Sequence, residues 1–233
     1  MVRLLVAQGY AVHFTYFRSV EQAADLCEVL RHEYPEASVE AISCDLARAE
    51  EVEVFCAGLN RNPQGFYGFI HCAGMKYDSL VATLDISKVR QLMQINFYAF
   101  IQIFQAVVPN MVVKCQGRII AISSIAAQQG NRGNSLYGAS KSALEGFVRS
   151  AIHEVAQRGV TLNCIAPGFI ETRMTQAYSN QKEQICRSIP GQRFGTAQEV
   201  AELASFLLSP QAQYINGETL VIDGGLTKCA RVI

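Results

Sequence analysis

Tyr137 and Lys141 stand four residues apart in "SLYGASKSALEGF" (135–147), with only glycine, alanine and serine between them. Residues four apart share one face of an α-helix, so a phenol and an ammonium would point the same way. A free phenol, with a pKa of about 10, is a reluctant acid at neutral pH, and a nearby ammonium stabilises the phenolate. The pair is a candidate proton donor with its tuner. Ser124 lies thirteen residues before Tyr137, at the end of the apolar run "GRIIAISS" (117–124), where its hydroxyl could steady a developing negative charge. Tyrosine and lysine at this spacing also occur on helices that do no chemistry, so the weight rests on further motifs in register.

Those motifs need elements to hold them. "AVHFTY" (11–16), "VEAISC" (39–44), "FYGFIH" (66–71), residues 117–124, "VTLNCIAP" (160–167) and "ETLVID" (218–223) read as strands. Helical patterns cover 20–34, 49–60, 89–114, 136–158, 176–188 and 197–208, and the opening "MVRLLVAQGYAV" reads as a helix end. Pro109 is expected to kink or end the long helix. Apolar strands alternating with helices predict one doubly wound α/β domain over 1–233, with a parallel sheet covered on both faces. Ligands bind such sheets beyond the carboxyl ends of the strands, which singles out Arg18, Asp45, Cys72–Gly74, Ser123–Ser124 and Pro167–Gly168.

With "YGASK" (137–141), "HCAG" (71–74), "INFYAF" (95–100), "LNCIAPGFIETRMT" (162–175) and "NGETLVIDGG" (216–225) in register, the chain resembles the short-chain dehydrogenases/reductases. Within them it is similar to the 3-oxoacyl-(acyl-carrier-protein) reductases of fatty acid synthesis. The resemblance implies a Rossmann-type fold and NADPH-dependent reduction of a carrier-bound 3-oxoacyl thioester. It implies that Tyr137 gives the proton and that Lys141 tunes it and holds the nicotinamide ribose. It further implies that Ser124 bonds the substrate oxygen and Asn96 anchors a relay water. Asp45 and Leu46 would meet the adenine, Ala73 and Gly74 the cofactor backbone, and Gly168, Ile170 and Thr172 the carboxamide. "HCAG" departs from the usual "NNAG", which puts the contact at Cys72 in doubt. Arg18 ends the second strand where NAD-selective enzymes carry an acid, so NADP(H) is favoured. Gly138, Ala139 and Ser140 are expected to let cofactor and substrate lie close, and 173–195 to form a substrate lid. Members are usually homotetramers. An acidic carrier is expected to dock through Lys114, Arg118 and Arg158. A dehydrogenase for another alcohol, such as a sugar or steroid, stays open on the same scaffold.

Twenty basic and twenty acidic side chains cancel, which gives no electrostatic reason to expect nucleic acid or an anionic membrane. The eight cysteines form no C-x-x-C pair and the four histidines are scattered, so metal-ligand spacing is absent and reduced thiols of a cytoplasmic protein are expected. No uninterrupted apolar run approaches the roughly 18 residues of a membrane span, no cleavage signal follows the opening residues, and no G-x-S-x-G occurs. The family opens with a strand and a T-G-x-x-x-G-x-G turn that cradles the pyrophosphate. Met1 falls inside the helix that follows, so roughly fifteen residues of that unit are expected to be absent. The lost strand would lie between 11–16 and 66–71. The chain is then expected to be a truncated form of a longer reductase, poorly stable and poor at binding NADP(H). The alternative is that the two strands pair directly, giving a cofactor-free binding protein.

Overall fold

The computed structural model describes residues 1–228; Cys229 and the rest of the tail to 233, for which the sequence offers no reading, lie outside them. Helix α1 (Val2–Ala7) leads through Gly9, at φ +85°, into β1 (Val12–Tyr16). There follow α2 (Val20–Glu33), β2 (Val39–Ser43), α3 (Ala49–Leu59) and β3 (Gly68–His71). After a loop come α4 (Ile86–Met93), a π-helical turn (Gln94–Tyr98) and α5 (Ala99–Val113). Then follow β4 (Gly117–Ile122), α6 (Ser135–Val155), β5 (Val160–Pro167), α7 (Lys182–Ser188), α8 (Ala197–Leu208) and β6 (Thr219–Ile222).

All strand pairs are parallel, in two sheets ordered β1-β2 and β3-β4-β5-β6. β1 and β3 do not pair. The central strands β4 and β5 are buried almost throughout, as two covered faces require of near-continuous apolar runs. One core layer joins α3, α5 and α6 to β4 and β5; the other joins α1, α2 and α8 to β1, β2, β4 and β5.

The long helix breaks elsewhere than its proline suggests. Pro109 lies inside α5, exposed, and the helix runs on to Val113. The carbonyl that a proline at this position frees, that of Gln105, belongs to an exposed residue and is left to water. The irregularity is the π turn at 94–98, a form frequent at functional sites. The helical stretch 86–113 is long and apolar enough to cross a membrane. Its apolar side, including Leu92, Phe100, Phe104 and Met111, is instead packed in the core.

Candidate active site

The carboxyl ends of β3, β4 and β5 bring the predicted residues together. Asn96 is fully buried on the π turn, and both ends of its side-chain amide bond to protein. Its Oδ1 accepts from the Met75 N–H at 2.7 Å, and its Nδ2 donates to the Met75 carbonyl at 3.0 Å and to Ser140 Oγ at 2.9 Å. Asn96 therefore clamps the loop after β3 onto α6. Ser124 follows β4 and caps a short 3-10 turn (Ile125–Ala127), its Oγ accepting from the Ala126 N–H at 3.2 Å. Ser123 instead donates to Glu145 Oε1 at 2.7 Å in the interior, as suits a structural serine.

Burial raises the Tyr137 phenol above its ordinary value, against the opposing pull of a hydrogen bond with Ser124 and of the Lys76 ammonium. Lys141 is buried beside it, with Nζ 5.7 Å from the phenol ring centre and donating to the Ile122 carbonyl at 2.8 Å. Burial lowers Lys141 to about 8. A second cation, Lys76, also pulls the phenol's pKa down, while Lys141 Nζ faces the same ring. Sequence reading missed Lys76, although its place two residues after Gly74 was a signal. Its Nζ meets Asp78 Oδ2 at 2.7 Å and donates to the Tyr178 hydroxyl, on the segment expected to act as lid. Tyr178 in turn stands edge-on to Phe169.

The small residues of "YGASK" also serve the packing of the helix. A Cβ at Gly138 would lie 2.7 Å from the Ala126 carbonyl oxygen, so glycine lets α6 approach the Ser124 turn. Ser140 is buried against Asn96, while Ala139 is exposed. Alanine is ordinarily the better helix former by roughly 0.5–1 kcal/mol. Here the contact is with backbone, so Gly138→Ala is expected to destabilise by about 1–3 kcal/mol. Displacing Tyr137 from Ser124 should also lower turnover by up to about 10². Thermal melting and steady-state kinetics check both; a stabilised, fully active variant would contradict the packing.

The cofactor candidates line the same edge. Arg18 is exposed, its guanidinium 4.9 Å from the Phe17 ring centre, with no ion pair among the described residues. Asp45 Oδ1 accepts from the Ala47 N–H at 3.0 Å, and Leu46 is buried in the core. Cys72 is exposed, and Ala73 packs on the core. At Gly74 a Cβ would point to Lys141 Nζ at 3.4 Å. Gly168 lets the end of β5 approach β6, since a Cβ there would lie 2.7 Å from that of Asp223. Ile170 is buried and bridges to Gly195, and Thr172 caps the 3-10 helix 173–181.

The expected carrier-docking residues do not lie at this edge. Lys114 and Arg158 precede β4 and β5, and Arg118 is near the start of β4, at the amino ends of parallel strands and so across the sheet from the site. Arg118 is also buried, donating to the Gly117 and Gly159 carbonyls over the Tyr67 ring. These residues cannot form a patch beside Tyr137.

A sequence profile for the family described as Enoyl-(Acyl carrier protein) reductase, a branch of the short-chain dehydrogenases/reductases, matches residues 1–227. The chain belongs to that family. This short-chain dehydrogenase/reductase is 35% identical to the 3-oxoacyl-(acyl-carrier-protein) reductase FabG of Vibrio cholerae over 79% of its own length and 76% of the relative's. It is 40% identical to that of Escherichia coli K12 over 67% and 65%; that match spans just under two thirds of the relative. Among solved structures, a gluconate 5-dehydrogenase from Burkholderia cenocepacia, in complex with NADP and tartrate, superposes with a TM-score of 0.89 at 26% identity, covering 98% of this chain and 89% of that one. A blue fluorescent protein from a metagenomic library, in complex with NADPH, gives 0.90 at 28%, covering 97% and 91%.

Proposed function

We propose that this short-chain dehydrogenase/reductase reduces a 3-oxoacyl thioester, presented on an acyl carrier protein, to the 3-hydroxyacyl thioester with NADPH. The observation that carries the reading is the convergence of Ser124, Tyr137 and Lys141 at the carboxyl ends of β4 and β5, in a chain 35–40% identical to reductases of that name. The family description names an enoyl substrate, but a partly buried phenol whose pKa feels the neighbouring Ser124 hydroxyl suits protonation of a ketone oxygen.

The residues present fit a nicotinamide cofactor at both ends. Lys141 Nζ spends one N–H on Ile122 and has two to give a ribose. Arg18 is free to meet a 2′-phosphate, with Asp45, Leu46, Ala73 and Gly74 along the adenosine side and Gly168, Ile170 and Thr172 at the carboxamide. When bound, that cofactor supplies the hydride. Ser124 holds the ketone oxygen, Tyr137 delivers its proton to that oxygen as negative charge develops, and Ser124, Lys141 and Lys76 stabilise the phenolate left behind. Asn96 keeps the Gly74–Lys76 loop in register with α6. A relay water at Asn96, a homotetramer built on the outer faces of α5 and α6, and a cytoplasmic location belong to the same proposal.

Steady-state NADPH oxidation with carrier-bound 3-oxoacyl thioester, a free thioester mimic and a small hydroxy or oxo acid tests it. The carrier-bound substrate should give the highest kcat/KM. A second reading, a small anionic substrate, draws on Lys76 at the mouth and on the gluconate 5-dehydrogenase likeness. It would be favoured if the acid won the comparison. Arg18→Ala is expected to weaken NADPH by about ten- to a hundredfold and NADH hardly at all, the worth of a charge-assisted contact of roughly 1.5–3 kcal/mol. Titration of both cofactors checks this, and equal losses would remove Arg18 from cofactor choice.

A further inference from the structure

Two segments far apart in sequence meet beside Tyr137, and each is anchored from behind. Asn96 bonds both the N–H and the carbonyl of Met75, at 2.7 and 3.0 Å, so the backbone leading into Lys76 is fixed. The Lys76 side chain is 19% exposed, and its Nζ meets Asp78 Oδ2 at 2.7 Å. That ammonium also donates to the Tyr178 hydroxyl and lies 4.6 Å from the Tyr178 ring centre. Tyr178 sits on the 3-10 helix 173–181 that follows β5. Its ring stands edge-on to Phe169, which stacks on Phe194 with centres 5.3 Å apart. A buried amide thus holds one side of the contact and an aromatic row the other.

The pair has hydrogen-bond donors to spare. An ammonium carries three N–H groups, and among the described residues Lys76 spends them on Asp78 and Tyr178 alone. The Tyr178 hydroxyl accepts from Lys76, and among the described residues its own O–H meets no acceptor. Both groups act on the charge of the Tyr137 phenol, Lys76 lowering its pKa and Tyr178 raising it, so both stand near the group that protonates the ketone. A 3-oxoacyl thioester carries a second carbonyl one methylene away from that ketone. We propose that Lys76 and Tyr178 form a subsite for this second carbonyl oxygen, reading the substrate as a 1,3-dicarbonyl while Ser124 and Tyr137 hold its ketone. The inference rests on the 3-oxoacyl reading above and supplies it with a specificity-determining pair. Charge selects the kind of acceptor. Asp78 already neutralises the ammonium, so an incoming carboxylate would lie beside a like charge, whereas a neutral carbonyl takes the spare donors without that repulsion. One donor belongs to the loop after β3 and the other to 173–181, so the subsite is complete only with the two segments together. The thioester oxygen then bridges them, which a lone ketone has no second acceptor to do.

The test uses three small ketones: the N-acetylcysteamine thioester of 3-oxobutanoate, the matching thioether with a methylene in place of the thioester carbonyl, and free 3-oxobutanoate. The parent, Tyr178→Phe and Lys76→Met are compared in kcat/KM for NADPH-dependent reduction and, without turnover, in equilibrium binding by calorimetry. Comparing each variant with the parent on one substrate cancels the intrinsic reactivity of that ketone. Tyr178→Phe should weaken the thioester by about tenfold in both readouts and the thioether by less than about threefold. Lys76→Met should slow both reductions, because the ammonium also stabilises the phenolate, with a further loss of about tenfold on the thioester. In binding, where no phenolate forms, it should weaken the thioester alone. Equal losses on thioester and thioether in both readouts would overturn the proposal, leaving the pair as support for the phenol and the lid. Preferred use of 3-oxobutanoate that depends on Lys76 would also overturn it, by assigning the subsite to an anion. A parent that reduces the thioether but no 3-oxoacyl thioester would overturn the 3-oxoacyl reading and the subsite with it, a failure visible in the parent before any variant is compared.

Discussion

Tyr137→Phe is expected to lower ketone reduction by about 10²–10⁴, the usual worth of a positioned general acid, while leaving NADPH affinity within a few-fold of the parent. The phenol is a partly buried acid beside Ser124 that carries a transferable proton. Removing its oxygen deletes the proton and little binding surface. Its pH dependence follows from the direction of its shift. Reduction needs the protonated phenol, and burial raises its pKa. The rate should therefore stay level through neutral pH and fall on the alkaline side, as Lys141 and then the phenol lose their protons. Alcohol oxidation, which needs the phenolate, should rise over the same range. A Phe variant with near-parental turnover would remove Tyr137 from the mechanism.

Lys141→Met tests the energetic cost of the site. Lys141 is 3% exposed, its only acceptor among the described residues is the Ile122 carbonyl, and burial lowers its pKa from 10.5 to about 8. Below pH 8 it is charged in both folded and unfolded chains, and the folded chain bears the desolvation cost. Between about 8 and 10.5 the folded chain releases the proton and the unfolded one keeps it, so stability rises with pH; above that range the contribution is constant. Relative to the variant, the parent should gain on the order of 3 kcal/mol across that window, since one pKa unit is about 1.4 kcal/mol. Urea unfolding of both proteins at pH 7.5 and 10.5 reads this difference directly, and other titrating groups cancel in the comparison. Parallel pH profiles would show that Lys141 is not desolvated. Reduction should fall sharply in the variant, so the residue that activity requires is one that stability at neutral pH disfavours.

The alternation of apolar runs made the strand and helix order legible, because buried parallel strands must be apolar on both faces. The register of Ser124, Tyr137 and Lys141 was legible because strand end and helix face follow from spacing alone. The π turn was not: Pro109 is the stronger local signal, and the advantage of the turn lies in contacts with Met75 and Ser140, far along the chain. Lys76 and Tyr178 are 102 residues apart, so their meeting belongs to tertiary structure. Gly138 showed smallness but not what it packs against. Arg118 showed a charge but not its direction, because only the burial of β4 turns it inward under Tyr67.

The central claim is that the site protonates a ketone oxygen rather than saturating a carbon–carbon bond. The most direct measurement is the product formed when the chain is given NADPH with a mixture of carrier-bound 3-oxoacyl and enoyl thioesters, resolved by mass spectrometry. The 3-hydroxyacyl thioester should appear, one for each NADPH consumed, with the enoyl substrate untouched and the product lost in Tyr137→Phe. Formation of the saturated acyl thioester, with the 3-oxo substrate unchanged, would contradict the account.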